Sequence, residues 1–160
     1  MRFNLAVGQN YFMELAKMRA YRLLWANIIK AYGGKESNAK MHIHACNAEI
    51  GMSLYDAYVN MLRTTTGTMS AVLGGVDSFC VTPFDATFET PTDFADRIAR
   101  NQQLILKEEA HFDKVADPAA GSYYIENLTD SLAKAAWDLF NKIQDEGGYL
   151  AAVRKGMIQT

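Results

Sequence analysis

Three side chains that could do chemistry, His42, His44 and Cys46, alternate along the segment MHIHAC. If that segment is a strand, all three point to one face, with neighbours about 6.5–7 Å apart. Asp77 or Cys80, in the next strand-like segment, could complete a metal site of the kind that a metal-dependent hydrolase uses. The simpler interpretation is that these polar and thiol groups line the inside or the end of a sheet. Because the spacing alone is a weak signal, we predict no bound metal.

A second group of titratable residues follows a predicted helix. Glu108, Glu109, His111 and Asp113 could exchange protons with a substrate, but such a cluster is more often the solvated end of a helix. Arg63 lies within an apolar helix, where a structural ion pair is the simplest explanation. We therefore assign no catalytic residue.

The composition limits the classes of function. The chain has 160 residues, of which 49% are hydrophobic and 21% charged, with a net charge of −2. Its basic residues are scattered, which argues against a nucleic-acid surface, and no apolar run reaches the roughly 18 residues of a membrane span. The two cysteines, without a secretory signal, favour a reduced, cytoplasmic protein. We predict a single α/β domain over residues 1–160, or part of a larger one.

Apolar runs and amphipathic stretches alternate about four times, which predicts an α/β fold with a parallel sheet covered by helices. Glycine pairs end several of the helical stretches. Thr92 is the predicted N-cap of the third helix. The predicted strands are Phe3–Val7, Met41–Ala45, Val76–Val81 and Tyr123–Glu126; the predicted helices start near Tyr11, Tyr55 and Asp93 and span Leu128–Glu146 and Tyr149–Arg154.

Four collinear motifs carry a family resemblance over residues 11–156. YFMELAKMRAYRLLWA resembles FFMEIAKxRAxRxLWA, and DAYVNMLRTTTGTMSAVLGG resembles DPYNNxxRTxxEAxAAxxGG. GGVDSFCVTPFDATFETPTDFADRIARN resembles GGTQSLHTNxFDEALxLPTxFSxRIARN, and DPAAGSYYIENLT resembles DPWGGSYYVExLT. These patterns are similar to those of the methylmalonyl-CoA mutase family, the adenosylcobalamin-dependent acyl-CoA mutases.

The resemblance implies a fold and a cofactor. It implies the C-terminal half of a (β/α)8 TIM-type barrel, with about four βα units. A complete barrel needs about 250 residues, so we expect this chain to be a fragment of a longer subunit. The family's cobalamin-binding domain carries a DxHxxG string, and none of His42, His44 and His111 lies in one. We therefore expect adenosylcobalamin in the holoenzyme but none bound to this chain alone.

The chain departs from the family at positions that face ligands in catalytic subunits. In the pattern RxHxQTSGWS, the Arg becomes His42 and the Gln becomes Cys46, and a histidine lacks the permanent cation of arginine. In TQSLHTNxFDE, the Asn and Glu that face the adenosyl ribose become Thr82 and Ala86. The full set predicted to be ligand-facing is His42, His44, Cys46, Asp77, Ser78, Thr82 and Ala86.

A preserved scaffold with altered ligand-facing positions resembles the small, non-catalytic subunit of the two-subunit enzymes. Such an enzyme interconverts methylmalonyl-CoA and succinyl-CoA by a radical 1,2-shift, with a catalytic large subunit as the heterodimer partner. The alternatives are a fragment of a catalytic acyl-CoA mutase subunit with an altered pocket, and the metal-dependent hydrolase that uses His42, His44 and Cys46. An isolated half barrel is expected to self-associate, through a surface that includes Phe3, Leu5, Ile43, Phe79 and Val81.

Overall fold

A computed structural model describes residues 1–159 as a three-stranded parallel sheet with helices. The strands are β1 (Arg2–Val7), β2 (His42–Asn47) and β3 (Ser78–Cys80), in the order β1-β2-β3. The helices are α1 (Tyr11–Ala31), α2 (Asn60–Leu73), α3 (Asp93–Leu104), α4 (Tyr123–Asp145) and α5 (Tyr149–Arg154). Short 3-10 turns occupy Glu36–Ala39, Glu49–Gly51 and Ala57–Val59, and one π-helical turn, Ile105–Glu109, extends α3. None of the helices in this described part is both long and apolar enough to cross a membrane.

The sheet has one covered face and one open face. Along β2, Ile43, Ala45 and Asn47 are buried, whereas His42, His44 and Cys46 between them are exposed or half-buried. The covered face joins α1 and α2 in a core that contains Val7, Met18, Met41, Ile43, Ala45 and Ala71. The period of two along a strand therefore places the apolar positions towards the helices and the polar ones outwards.

The surface through which the isolated half barrel was predicted to self-associate was wrong. Ile43 and Val81 are 0% and 3% exposed, and Phe3, Leu5 and Phe79 pack partly buried against the core. The face that is left open instead carries Arg2, Asn4, Ala6, His42, His44, Cys46, Ser78 and Cys80.

The first three predicted strands are confirmed with small shifts of their ends, but the fourth is wrong. Tyr123–Glu126 forms the first turn of α4. Ile125 is buried on the same helical stripe as Thr129 and Ala133, so the helical period already starts there. Tyr123 and Tyr124 are 90% and 60% exposed. After the third βα unit, which ends with α3, the chain adds the helices α4 and α5 and no further strand within residues 1–159.

Helix α1 holds the other elements together through two arginines. Arg19 reaches Asp117 in the loop before α4 and donates to Glu126 Oε1 at 2.7 Å. Glu126 also accepts from the Gly121 N–H at 3.0 Å, which closes the turn that leads into α4. The motif RA in α1 and the motif DPAAGSYYIE therefore form one contact, although 107 residues separate Arg19 from Glu126.

One turn further along α1, Arg22 fixes the starts of two strands. Its guanidinium donates to the Met41 carbonyl at 2.7 Å, to the Gly75 carbonyl and to Asp77 Oδ2 at 2.9 Å. Because Met41 precedes β2 and Asp77 precedes β3, one side chain aligns the amino ends of both strands with α1.

We predict that Arg19→Met loosens α4. The substitution keeps an unbranched apolar stem but removes the two contacts to Asp117 and Glu126, so hydrogen exchange in α4 should accelerate and the thermal midpoint should fall by several degrees. The control is Lys134→Met, because Lys134 pairs with Asp130 within α4 and both side chains are mostly exposed. Equal exchange in the two variants would contradict the anchoring role of Arg19.

Candidate functional site

The carboxyl ends of the parallel strands form the expected place for a ligand in an α/β sheet. We call this region the strand-end edge, and define it by Gly8, Gln9, Asn47, Arg63 and Thr82. Gly8 and Gln9 follow β1, Asn47 ends β2 and Thr82 is the second residue after β3. Arg63 and its neighbour Thr64 on α2 line the same shallow recess as Gly8, Gln9 and Asn47.

Asn47 joins three elements at this edge. Its Nδ2 donates to the Thr64 carbonyl of α2 at 3.2 Å, and its Oδ1 accepts from the Thr82 N–H at 3.1 Å. The Thr82 hydroxyl donates in turn to the Asn47 carbonyl at 3.3 Å. Thr82, predicted from the family pattern to face a ligand, therefore directs both its N–H and its hydroxyl to β2.

Asn60 fixes the loop over the edge. Its side chain is fully buried, donates to the carbonyls of Ser53 and Phe84 at 2.9 and 3.1 Å, and accepts from the Ser53 N–H at 2.9 Å. Arg63 Nη1 donates to Asn60 Oδ1 at 3.0 Å. The predicted ion pair of Arg63 was wrong, since the acceptor is an uncharged amide. Sequence reasoning missed both Asn47 and Asn60; the only signal was an asparagine at the end of an apolar strand and another at a helix start.

The open face carries four of the residues predicted to face a ligand, together with the second thiol. They are His42, His44, Cys46 and Ser78, and the thiol is Cys80. His44 Nδ1 lies 2.8 Å from Ser78 Oγ, in hydrogen-bonding contact between β2 and β3. Cys46 lies directly opposite Cys80 in the strand register. Partial burial, followed by the neighbouring Cys80 and Glu49, raises the pKa of the Cys46 thiol. The prediction that His42, His44 and Cys46 share one strand face is confirmed.

The predicted site residues do not all converge. Asp77 and His42 lie at the amino ends of the strands, away from Thr82 and Ala86, which follow β3. His42 Nδ1 is 3.9 Å from Asp77 Oδ2. The same carboxylate oxygen accepts from the Ile43 N–H at 2.7 Å and from Arg22. Asp77 is therefore held by the scaffold, at the opposite end of the sheet from the strand-end edge.

The titration of Asp77 follows from these contacts. Partial burial raises the pKa of its carboxyl, but the Ile43 N–H, the Arg22 guanidinium and His42 together outweigh burial and hold that pKa below its ordinary value. The ionised form is thus favoured in the folded protein.

Within residues 1–159, no three His, Cys, Asp or Glu side chains form a group that could hold a metal ion. His42 is directed to Asp77 and His44 to Ser78, so the two histidines have different partners. The titratable cluster after α3 is exposed: Glu108 pairs with Lys107 at 2.8 Å and Asp113 with Lys114 at 3.4 Å. That arrangement is the solvated helix end anticipated from the sequence.

The family model for methylmalonyl-CoA mutase matches residues 1–160. The chain belongs to the methylmalonyl-CoA mutase family. It is 54% identical to the methylmalonyl-CoA mutase small subunit of Porphyromonas gingivalis over 99% of this chain and 26% of that protein. It is 44% identical to the small subunit of Streptomyces virginiae over 98% of this chain and 25% of that protein. The large subunit of Porphyromonas gingivalis is 40% identical over 95% of this chain and 21% of that protein.

The chain thus spans about a quarter of the length of the curated relatives it matches. Within one organism, the identity is higher to the small subunit than to the large subunit, at 54% against 40%.

The two positions of this mutase-family segment that the resemblance assigns to the adenosyl ribose, Thr82 and Ala86, do not fit that role. Thr82 has both its donors bonded to Asn47, and Ala86 has no polar side-chain atom to meet a ribose hydroxyl. The two strand histidines are each directed to a neighbour on the sheet, His44 to Ser78 and His42 to Asp77. Neither belongs to the strand-end edge. We therefore derive no chemical step through the cofactor at these residues.

We predict that Asp77 makes folding sensitive to acid. Since its pKa is lower in the folded chain, its stabilisation is complete above the ordinary carboxyl pKa of about 3.9 and is lost as the pH falls below that value. Asp77→Asn should cost about 1 kcal/mol at neutral pH, a figure reduced because the Asp77 side chain is 35% exposed. The cost should shrink in acid.

Urea unfolding across a pH series measures this difference, with Asp138→Asn on the exposed side of α4 as the matched control. A cost for Asp77→Asn that stays constant into acid would show that its charge is not the source of the stabilisation.

Proposed function

We propose that this chain is a segment of the small subunit of a methylmalonyl-CoA mutase, and that this subunit supports the enzyme without performing catalysis. The observation that carries the proposal is the contrast between the scaffold and the strand-end edge. Arg19 and Arg22, which the family pattern also has, make their scaffold contacts. By contrast, Thr82 donates both its N–H and its hydroxyl to Asn47, and Ala86 has no polar side-chain atom. The higher identity to a small subunit than to the large subunit of the same organism supports the same choice.

The three βα units fit within a (β/α)8 barrel completed by the rest of a longer chain. In that arrangement, the open face would line the barrel interior and the free edges of β1 and β3 would pair with further strands. The predicted four units are revised to three, because α4 packs on α1 and follows no fourth strand. Without the rest of the barrel, the same edges would favour self-association of the segment.

The proposed partner is the catalytic large subunit, in a heterodimer. Large and small subunits of methylmalonyl-CoA mutase both occur in Porphyromonas gingivalis. The large subunit would bind adenosylcobalamin and the acyl-CoA and would carry the interconversion of methylmalonyl-CoA and succinyl-CoA, in the cytoplasm. When bound there, the cofactor supplies the radical. No observation on this chain favours the hydrolase alternative.

The effect of His44→Ala separates the proposed non-catalytic subunit from the alternative of an altered catalytic subunit. We expect His44→Ala in the full-length subunit, reconstituted with the large subunit, to leave kcat and KM for methylmalonyl-CoA within about twofold. If this chain formed a working active site, removal of the histidine that it shares with the family pattern would lower kcat/KM by about tenfold or more, a loss of about 1.4 kcal/mol.

The experiment is a steady-state assay of the heterodimer, with heterodimer content measured by light scattering in the same samples. Arg19→Met serves as the comparison, because it weakens the scaffold and should lower the amount of heterodimer rather than the activity of each heterodimer that forms. A tenfold loss with His44→Ala at unchanged heterodimer content would overturn the non-catalytic assignment.

A direct binding test complements the assay. The full-length small subunit alone should not change the corrin absorbance of adenosylcobalamin at low micromolar concentration and should give no acyl-CoA isomerisation. Stoichiometric binding by this subunit alone would contradict the proposal.

A further inference from the structure

The open face of the sheet carries the chain's two cysteines on neighbouring strands. Cys46 on β2 and Cys80 on β3 are register partners, so their Cα atoms are separated by the inter-strand spacing, about 4.8 Å. Both are free thiols, with Cys80 exposed and Cys46 half-buried. Their side chains leave the sheet on the same side, since directly opposed residues of a sheet point to the same face.

This separation lies inside the range of about 4.4–6.8 Å between the Cα atoms of disulfide-linked cysteines. A disulfide further requires the Cβ atoms to approach to about 3.5–4.5 Å, so β3 must move slightly towards β2. The three-residue length of β3 permits that movement. A bond formed with such an adjustment is more easily reduced than an unstrained one.

We propose that Cys46 and Cys80 form a redox-active dithiol, which hydrogen peroxide converts to a reversible disulfide between β2 and β3. This inference goes beyond the proposed function. It rests on the register and exposure of the two thiols and requires that peroxide reach the open face in the full-length subunit, where the proposed barrel would enclose that face.

The two steps balance. The Cys80 thiolate attacks one oxygen of the peroxide, the O–O bond breaks, and a sulfenic acid and hydroxide form as two electrons pass from sulfur to oxygen. The sulfur of Cys46 then attacks the sulfur of Cys80, the S–S bond forms, and the departing hydroxide takes the Cys46 proton as water. A thiol reductant restores both thiols.

The order of the two steps follows from exposure. Cys80 is the exposed thiol and meets the oxidant first, whereas Cys46 contacts the Leu5 carbonyl of β1 at 3.9 Å. Burial, followed by the neighbouring Cys80 and Glu49, raises the pKa of Cys46, which disfavours its thiolate. Cys46 therefore acts as the resolving thiol.

The test treats the full-length protein with hydrogen peroxide and maps its peptides by mass spectrometry, with dimedone present in a parallel sample to trap sulfenic acid. The expected product is one peptide pair joined through Cys46 and Cys80, lost on treatment with dithiothreitol. In Cys46→Ser, Cys80 should remain as a dimedone adduct at high yield; in Cys80→Ser, the linked peptide should be absent and Cys46 largely unmodified.

Circular dichroism of both variants establishes that each is folded before oxidation. Sulfinic acid or a dimedone adduct at Cys80 in the unsubstituted protein, with no Cys46–Cys80 peptide, would overturn the proposal. Equal oxidation of Cys46 and Cys80 in the two single variants would contradict the assigned order.

Discussion

The structure depends on one helix face, on which Arg19 and Arg22 hold elements that are distant in sequence. Arg22 sets the starts of β2 and β3 against α1, and Arg19 joins α1 to the loop and helix of the DPAAGSYYIE segment. A planar guanidinium presents its donors from separate nitrogens in a rigid fork, whereas a lysine has all its donors on one nitrogen. The α1 motif and the DPAAGSYYIE motif of the family are thus joined by the contacts of Arg19. We attribute the presence of both motifs in this chain to the structural role of these contacts.

The two faces of the sheet carry different constraints. The covered face is fixed by packing against α1 and α2, with Ile43 and Ala45 fully buried. On the open face, the family pattern changes at His42, Cys46 and Cys80 and is kept at His44 and Ser78. Packing therefore explains why the family resemblance survives along the whole chain, while the open face and the strand-end edge could diverge without loss of the fold.

Much of the scaffold could be predicted from the sequence. The alternation in MHIHAC predicted its polar side chains on one face. Thr92 caps α3 as expected, accepting from the Ala95 N–H at 3.2 Å. The fourth strand failed because the aromatic pair Tyr123-Tyr124 favours a strand locally, whereas Ile125 already belongs to the buried stripe of α4. Tertiary packing overrides such local preference.

The site was less predictable than the fold. Asn47 and Asn60 have no periodic signal, since their importance comes from carbonyls and amides that only the folded chain brings close. Asp77 appeared to belong with the ligand-facing residues because it lies beside them in a motif, but the direction of β3 places it at the other end of the sheet.

The most direct test of the account is a structure of the full-length subunit in complex with the large subunit, adenosylcobalamin and an acyl-CoA. The account predicts both ligands in the large subunit alone, with Thr82 still bonded to Asn47 and Arg19 still joined to Glu126 in this segment. Cofactor or acyl-CoA bound against His44, Cys46 or Thr82 would contradict it.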